Sequence, residues 1–154
     1  MGFFKAGDSI SGQEGRAYAT INGRVEEMFY AKNIEATAEK NKAEFKALGK
    51  RGVQSKAIGW TGKGSMTIYY STPVFRQMML KYIKTGVDSY FDMQVVNEDP
   101  TSTIGRQTVI LKNVNLDSVI MAKIDVDSEF LEEEIGFTFD DVDMPDSFGN
   151  PILR

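Results

Sequence analysis

Apolar positions in this chain recur mostly at every second residue, and in one stretch at helical spacing. Ala17–Ile21 and Arg24–Tyr30 flank Asn22-Gly23, and Asn-Gly between two β-type runs predicts a hairpin with a type I′ turn. Ile34, Ala36 and Ala38 then alternate with Glu35, Thr37 and Glu39. The Glu, Ala and Lys content of residues 26–48 favours helix, but the period is two, so a strand is expected through about residue 39. Ser65–Tyr70, Tyr90–Val96 with aromatic and β-branched residues, Arg106–Val114 with Val, Ile, Leu and Thr, and Ser118–Asp127 are further strand candidates. Glu134–Val142 is another, with Ile135, Phe137 and Phe139 on one face.

The helical stretch is Pro73–Lys84, where Val74, Phe75, Met78, Met79, Tyr82 and Ile83 form one apolar stripe. Thr72 suits the N-cap, Pro73 the first helical position and Gly86 the C-terminal cap. The expected fold is mainly β (α+β): an antiparallel β-sandwich or partial barrel of about seven strands with one packed helix. A single domain over residues 1–154 is expected. Residues 1–15 and 144–154 read as terminal arms, and Phe3 and Phe4 as apolar residues that pack on the domain or on a neighbour. Residues 41–64, with Gly49, Gly52, Gly59, Gly62 and Gly64, read as one long loop.

Between the two central strand candidates lies Asn97-Glu98-Asp99-Pro100-Thr101-Ser102-Thr103-Ile104-Gly105. Pro100 cannot donate to a ladder, Asn97, Asp99, Thr101 and Ser102 can bond their own backbone, and Gly105 can take a positive φ. An ordered structural corner follows, with Arg106 expected to meet Glu98 or Asp99.

The order NEDPTS-x-IGRQTV-x-L, from Asn97 onward, resembles the tail tube proteins of contractile phage tails and phage-like particles, of the PBSX prophage type. The resemblance extends through YATING-x-VEEMFYAKNIEAT (Tyr18–Thr37) and YYSTPVFRQMMLKYIKTG (Tyr69–Gly86). It implies a structural subunit, not an enzyme. Such subunits form rings, usually hexameric, that stack into the inner tube of a tail. The long loop and the terminal arms would make contacts between subunits and rings. Implied partners are the protein itself, sheath, tape-measure, baseplate and terminator proteins, and DNA in transit without specific binding. No membrane is implied, and the expected location is the bacterial cytoplasm during assembly, then the tail of a virion or phage-like particle.

Composition narrows the alternatives. The chain has no cysteine and no histidine, which excludes disulfides, Cys/His zinc sites and Ser-His-Asp or Cys-His chemistry. No apolar run approaches the roughly 20 residues of a membrane helix, and MGFFKAGDSISGQEG has no signal-peptide apolar region. Gly62-Lys63-Gly64-Ser65 suggests a phosphate loop, but the spacing needs Gly where Ala57 stands. Asp125-x-Asp127-x-Glu129 suggests calcium, but Phe130 and Gly136 occupy positions where an EF-hand loop needs Gly and Glu. Trp60 within a basic loop suggests base stacking, against an acidic whole chain of net charge −4. No catalytic, cofactor or metal residue is therefore assigned. Two other readings stay open: a small-ligand-binding β-barrel, and a metal-dependent hydrolase using Glu132–Glu134 with Asp140 and Asp141.

Charge is unevenly placed. Residues 125–146 are acidic without Lys or Arg, whereas Lys46, Lys50, Arg51, Lys56 and Lys63 cluster in the long loop. Head-to-tail contact between identical subunits could use both patches. The subunit-contact candidates are accordingly Phe3, Phe4, Lys50, Arg51, Lys56, Trp60, Asp140 and Asp141. Alternation also predicts that strand faces turned away from the core are polar and mostly acidic, lining a channel in a closed ring.

Overall fold

A computed structural model describes residues 3, 5–28 and 31–150, and Phe4 therefore lies outside the described residues. After a short 3-10 turn at Ala6–Asp8, the order is β1 (Gly15–Ile21), β2 (Arg24–Glu27), β3 (Ala31–Phe45), β4 (Gln54–Tyr69), α1 (Val74–Thr85), β5 (Phe91–Glu98), β6 (Arg106–Leu116), β7 (Glu132–Phe139) and β8 (Asp141–Asp146). The strands pair antiparallel in the order β2-β1-β5-β6-β7-β4-β3, with β8 also on β6. The sheet is open: β2 and β3 end the path, each with one unpaired edge.

The mainly β architecture with a single helix is the one the periodicities predict. Asn22 (φ 53) and Gly23 (φ 79) both take the positive φ that a type I′ turn requires. The apolar faces converge on one core containing Ala19, Met66, Ile68, Met93, Leu111, Ile135 and Phe137, with Phe75 of α1 inserted against Phe91 at 5.9 Å between ring centroids.

Several segments differ from expectation. Residues 41–64 are not a loop: β3 runs to Phe45 and β4 starts at Gln54, so a two-stranded ribbon extends past the sheet body. Its outer half has no core beneath it, so no apolar alternation marks it. Ser118–Asp127 forms no strand, despite its composition. The expected final strand divides into β7 and β8, and β8 uses residues first read as the C-terminal arm. The N-terminal segment is docked: Ser11 N donates to Asp99 Oδ2 at 3.0 Å, and Thr103 N to Gly7 O at 3.0 Å. Helix α1 begins at Val74 with Pro73 in the N-cap position, one residue later than expected. Gly86 (φ 73) caps it, its N–H donating to Tyr82 O at 2.8 Å. Only the first half of the helical stripe covers the core, because α1 runs off the sheet and leaves Tyr82 and Ile83 exposed.

Gly62 and Gly64 show what the apparent phosphate loop is for. They sit opposite Phe139 and Phe137 in the β4–β7 pairing. A Cβ on Gly62 would lie 2.6 Å from the Phe139 ring and 2.7 Å from its carbonyl oxygen; on Gly64 it would lie 2.4 Å from the Phe137 ring and 2.7 Å from Glu35 O. The absent side chains let both rings lie across β4.

Candidate assembly surface

The corner is a hub for both ends of the chain. Asp99 is buried, and its Oδ1 accepts from Thr101 N (2.9 Å) and Thr101 Oγ1 (2.6 Å) while Oδ2 takes Ser11 N. These donors, Thr101 Oγ1 first, hold its carboxyl below the usual range. Ser102 N donates to Asp99 O across Pro100, and Gly105 has φ 82 as expected. Glu98 N donates to Glu14 O, and Gly149 N to Ile104 O at 2.7 Å, so N-terminal and C-terminal segments close on the same corner. Asn97 pairs with Gly15 and with Gln107.

Arg106 stands opposite Glu98 in the β5–β6 register, as expected, but forms its ion pair elsewhere. Its Nη2 meets Asp146 Oδ2 at 2.9 Å, while Glu98 faces Arg16 at 3.7 Å. The ion pair goes to Asp146 because residues 144–146, expected in the C-terminal arm, belong to β8, which brings Asp146 opposite Thr108. Arg106 and then Thr108 hold the Asp146 carboxyl below its usual range. The Arg106–Asp146 pair is half-exposed, so Arg106→Ala should barely move the melting temperature. It should instead raise amide exchange across 141–146; unchanged exchange there would show that the pair does not hold β8.

The projecting β3–β4 ribbon carries most other contact candidates. Lys50, Arg51 and Lys56 are exposed at its tip, among exposed Phe45, Leu48, Val53 and Ile58. Trp60 is half-exposed at the root of the ribbon, 5.9 Å from Phe139 between ring centroids. Asp140, between β7 and β8, and Asp141, the first residue of β8, are exposed beside that root, with Asp140 Oδ1 accepting from Asn113 Nδ2 at 2.9 Å. Phe3 is exposed. Sequence reasoning named the tip's cations and missed its apolar residues, which have no periodicity to reveal them.

One buried charge pair escaped notice. Glu133 lies on the core face of β7 with its side chain fully buried, 3.0 Å from Arg76 Nη1 of α1. Arg76 also donates to Thr72 O and stacks 4.2 Å from the Tyr70 ring centroid. Glu133 Oε2 has no hydrogen-bond partner. Burial pushes the Glu133 carboxyl up, and Arg76 pulls it back only in part.

Two open clefts of about 280 and about 400 Å³ flank the core, one beside Met78, Tyr82 and Asp117, the other beside Arg16, Glu27 and Asn33. Among the described residues, no three acidic side chains converge where they could hold a metal ion. No described helix is long and apolar enough to cross a membrane.

A family model described as "Phage tail tube protein" matches residues 2–146. The Phage-like element PBSX protein XkdM of Bacillus subtilis (strain 168) is 44% identical over 146 residues, covering 95% of this chain and 97% of the relative. Among solved structures, a chain of the anti-feeding prophage cap, a tube terminating cap, superposes with TM-score 0.69 at 10% identity, over 90% of this chain and 92% of that one. The SPP1 tail tube superposes with TM-score 0.63 at 11% identity, over 95% of this chain and 81% of that one.

Proposed function

The chain belongs to the phage tail tube protein family, and we propose on that footing that it is the subunit that closes into rings, hexameric by the family's habit, stacked into the inner tube of a contractile tail. The role is structural. The observation behind the ring is the open sheet, whose end strands β2 and β3 each offer unpaired backbone groups that a second copy can satisfy. Heterologous contacts close the ring, and ring-on-ring contacts extend it.

The sheet face turned from the core on β3, β4 and β7 fits a channel wall. Glu35, Glu39, Glu132 and Glu134 outnumber Lys32 and Lys63 there. In a closed ring this wall is negative, which repels DNA in transit and favours sliding over adsorption. Sheath, tape-measure, baseplate and terminator proteins are the partners such a tube needs, with assembly in the bacterial cytoplasm before incorporation into the particle. Electron microscopy of the concentrated protein should show rings and tubes with a central channel. A strictly monomeric protein at high concentration, or a channel lined mainly by Lys and Arg, would overturn the reading.

A further inference from the structure

We propose that the connection at residues 123–130 receives the β3–β4 hairpin tip of a second copy in the adjacent ring; this rests on the ring-and-stack reading above. The first observation is a strand pattern without a strand. Ser118–Asp127 has the composition of a strand and alternates apolar with charged residues from Ala122 to Asp127, yet it pairs with nothing, and Ile124 and Val126 are each 92% exposed. Phe130 is largely exposed beside them. Apolar residues clustered this openly mark a surface that another chain covers.

The second observation is the connection's held position. Tyr70 N donates to Leu131 O at 2.9 Å, Lys123 Nζ to Glu132 O at 2.7 Å, and Phe130 meets the Tyr69 ring edge-on at 6.4 Å. Asp125 fixes the turn by accepting from Asp127 N and Ser128 Oγ. The connection therefore sits at the C-terminal end of β4. The hairpin tip sits at the other end of the same 16-residue strand, and an extended strand of that length spans about 50 Å. The two surfaces cannot meet within one subunit.

The third observation is that the two surfaces match. The tip sets Phe45, Leu48, Val53 and Ile58 among Lys46, Lys50, Arg51 and Lys56. The connection sets Ile124, Val126 and Phe130 among Asp125, Asp127 and Glu129. Complementary patches at opposite ends of one molecule fit a head-to-tail contact that repeats in every copy. Asp140 and Asp141 adjoin Phe139, which pairs with Gly62 near the middle of β4, so they lie at the hairpin's own root. That position suits them poorly as receivers.

The test uses full-length rings prepared separately. Tip-reversed rings carry Lys50→Glu with Arg51→Glu; connection-reversed rings carry Asp127→Lys with Glu129→Lys, leaving the Asp125 turn intact. Each preparation alone should remain as rings, with elongation at low salt slowed roughly tenfold or more against wild type. Mixing the two should restore tubes, because each altered tip then meets a connection of opposite sign. Asp140→Lys with Asp141→Lys should elongate like wild type. Wild-type tubes together with no recovery on mixing, or recovery only with the 140/141 reversal, would overturn the receiver while leaving the tube. Wild type that never leaves the monomer would overturn both.

Discussion

Arg76→Ala is expected to destabilise the protein by about 3–5 kcal/mol, because it strands a charge at Glu133 inside the core. At roughly 2–4 °C per kcal/mol for a chain of this size, the melting temperature should fall by about 10 °C. Replacing both partners, Arg76→Met with Glu133→Leu, should bring it close to wild type, since an apolar pair of similar volume carries no desolvation cost. The pH dependence gives a second reading. Burial holds the folded Glu133 carboxyl above its ordinary 4.5, so the folded state binds that proton more readily than the unfolded chain. The fold gains stability as pH falls through the raised value towards 4.5. Without Arg76 the rise is unopposed, the window opens at higher pH, and the variant's deficit should shrink on acidification. Asp99 and Asp146 act with the opposite sign. Their carboxyls are held below the ordinary 3.8, so their contribution is present above it and is lost as pH falls through the depressed values. The variant should therefore recover as pH falls from the alkaline side towards the ordinary 4.5 of a glutamate and fail in stronger acid. A deficit that stays constant over that fall would show that Glu133 is uncharged in the fold.

Gly64→Ala should be the next most damaging change. The new Cβ meets both the Phe137 ring and the carbonyl of Glu35, and the carbonyl cannot move without breaking the β3–β4 register. Overpacking of this kind costs about 1–3 kcal/mol. Gly12→Ala, where a Cβ meets nothing within 4 Å, is the matched control. Chemical denaturation of both variants decides it: equal midpoints would mean that the Phe137 ring and the Glu35 carbonyl give way at no cost.

The same glycines show where the sequence was readable. Ile34 gave away the start of β3 because it packs on the core opposite Met66; Ala36 and Ala38 continue its phase opposite Gly64 and Gly62 but are already exposed. Past Ala38 the ribbon has solvent on both faces, so nothing selects apolar residues at alternate positions, and glycines suggested a loop. At Ser118–Asp127 the reverse holds: the pattern of a strand is present and its pairing partner is not. Binary patterning reports burial and needs a buried face within the chain to be informative. The corner was legible because local chemistry, Asp99 with Thr101 and Gly105 with its positive φ, determines it. Arg106 was misassigned because its partner arrives from 40 residues away. Glu133 is in phase with Ile135, Phe137 and Phe139, so alternation put it on the core face, but its partner Arg76 lies 57 residues away and gave no local signal.

β3 leaves one edge of a 15-residue strand open along its length. Before any ring exists, such an edge is a template for indiscriminate pairing and aggregation. The composition that made this segment look helical supplies the safeguard. Lys40, Lys42, Glu39 and Glu44 keep it soluble and intrinsically reluctant to pair with a random strand. Replacing those charges with Val and Thr would make a better strand on paper. In the cell it would give a subunit that clumps with unassembled copies before it finds the register of a tube.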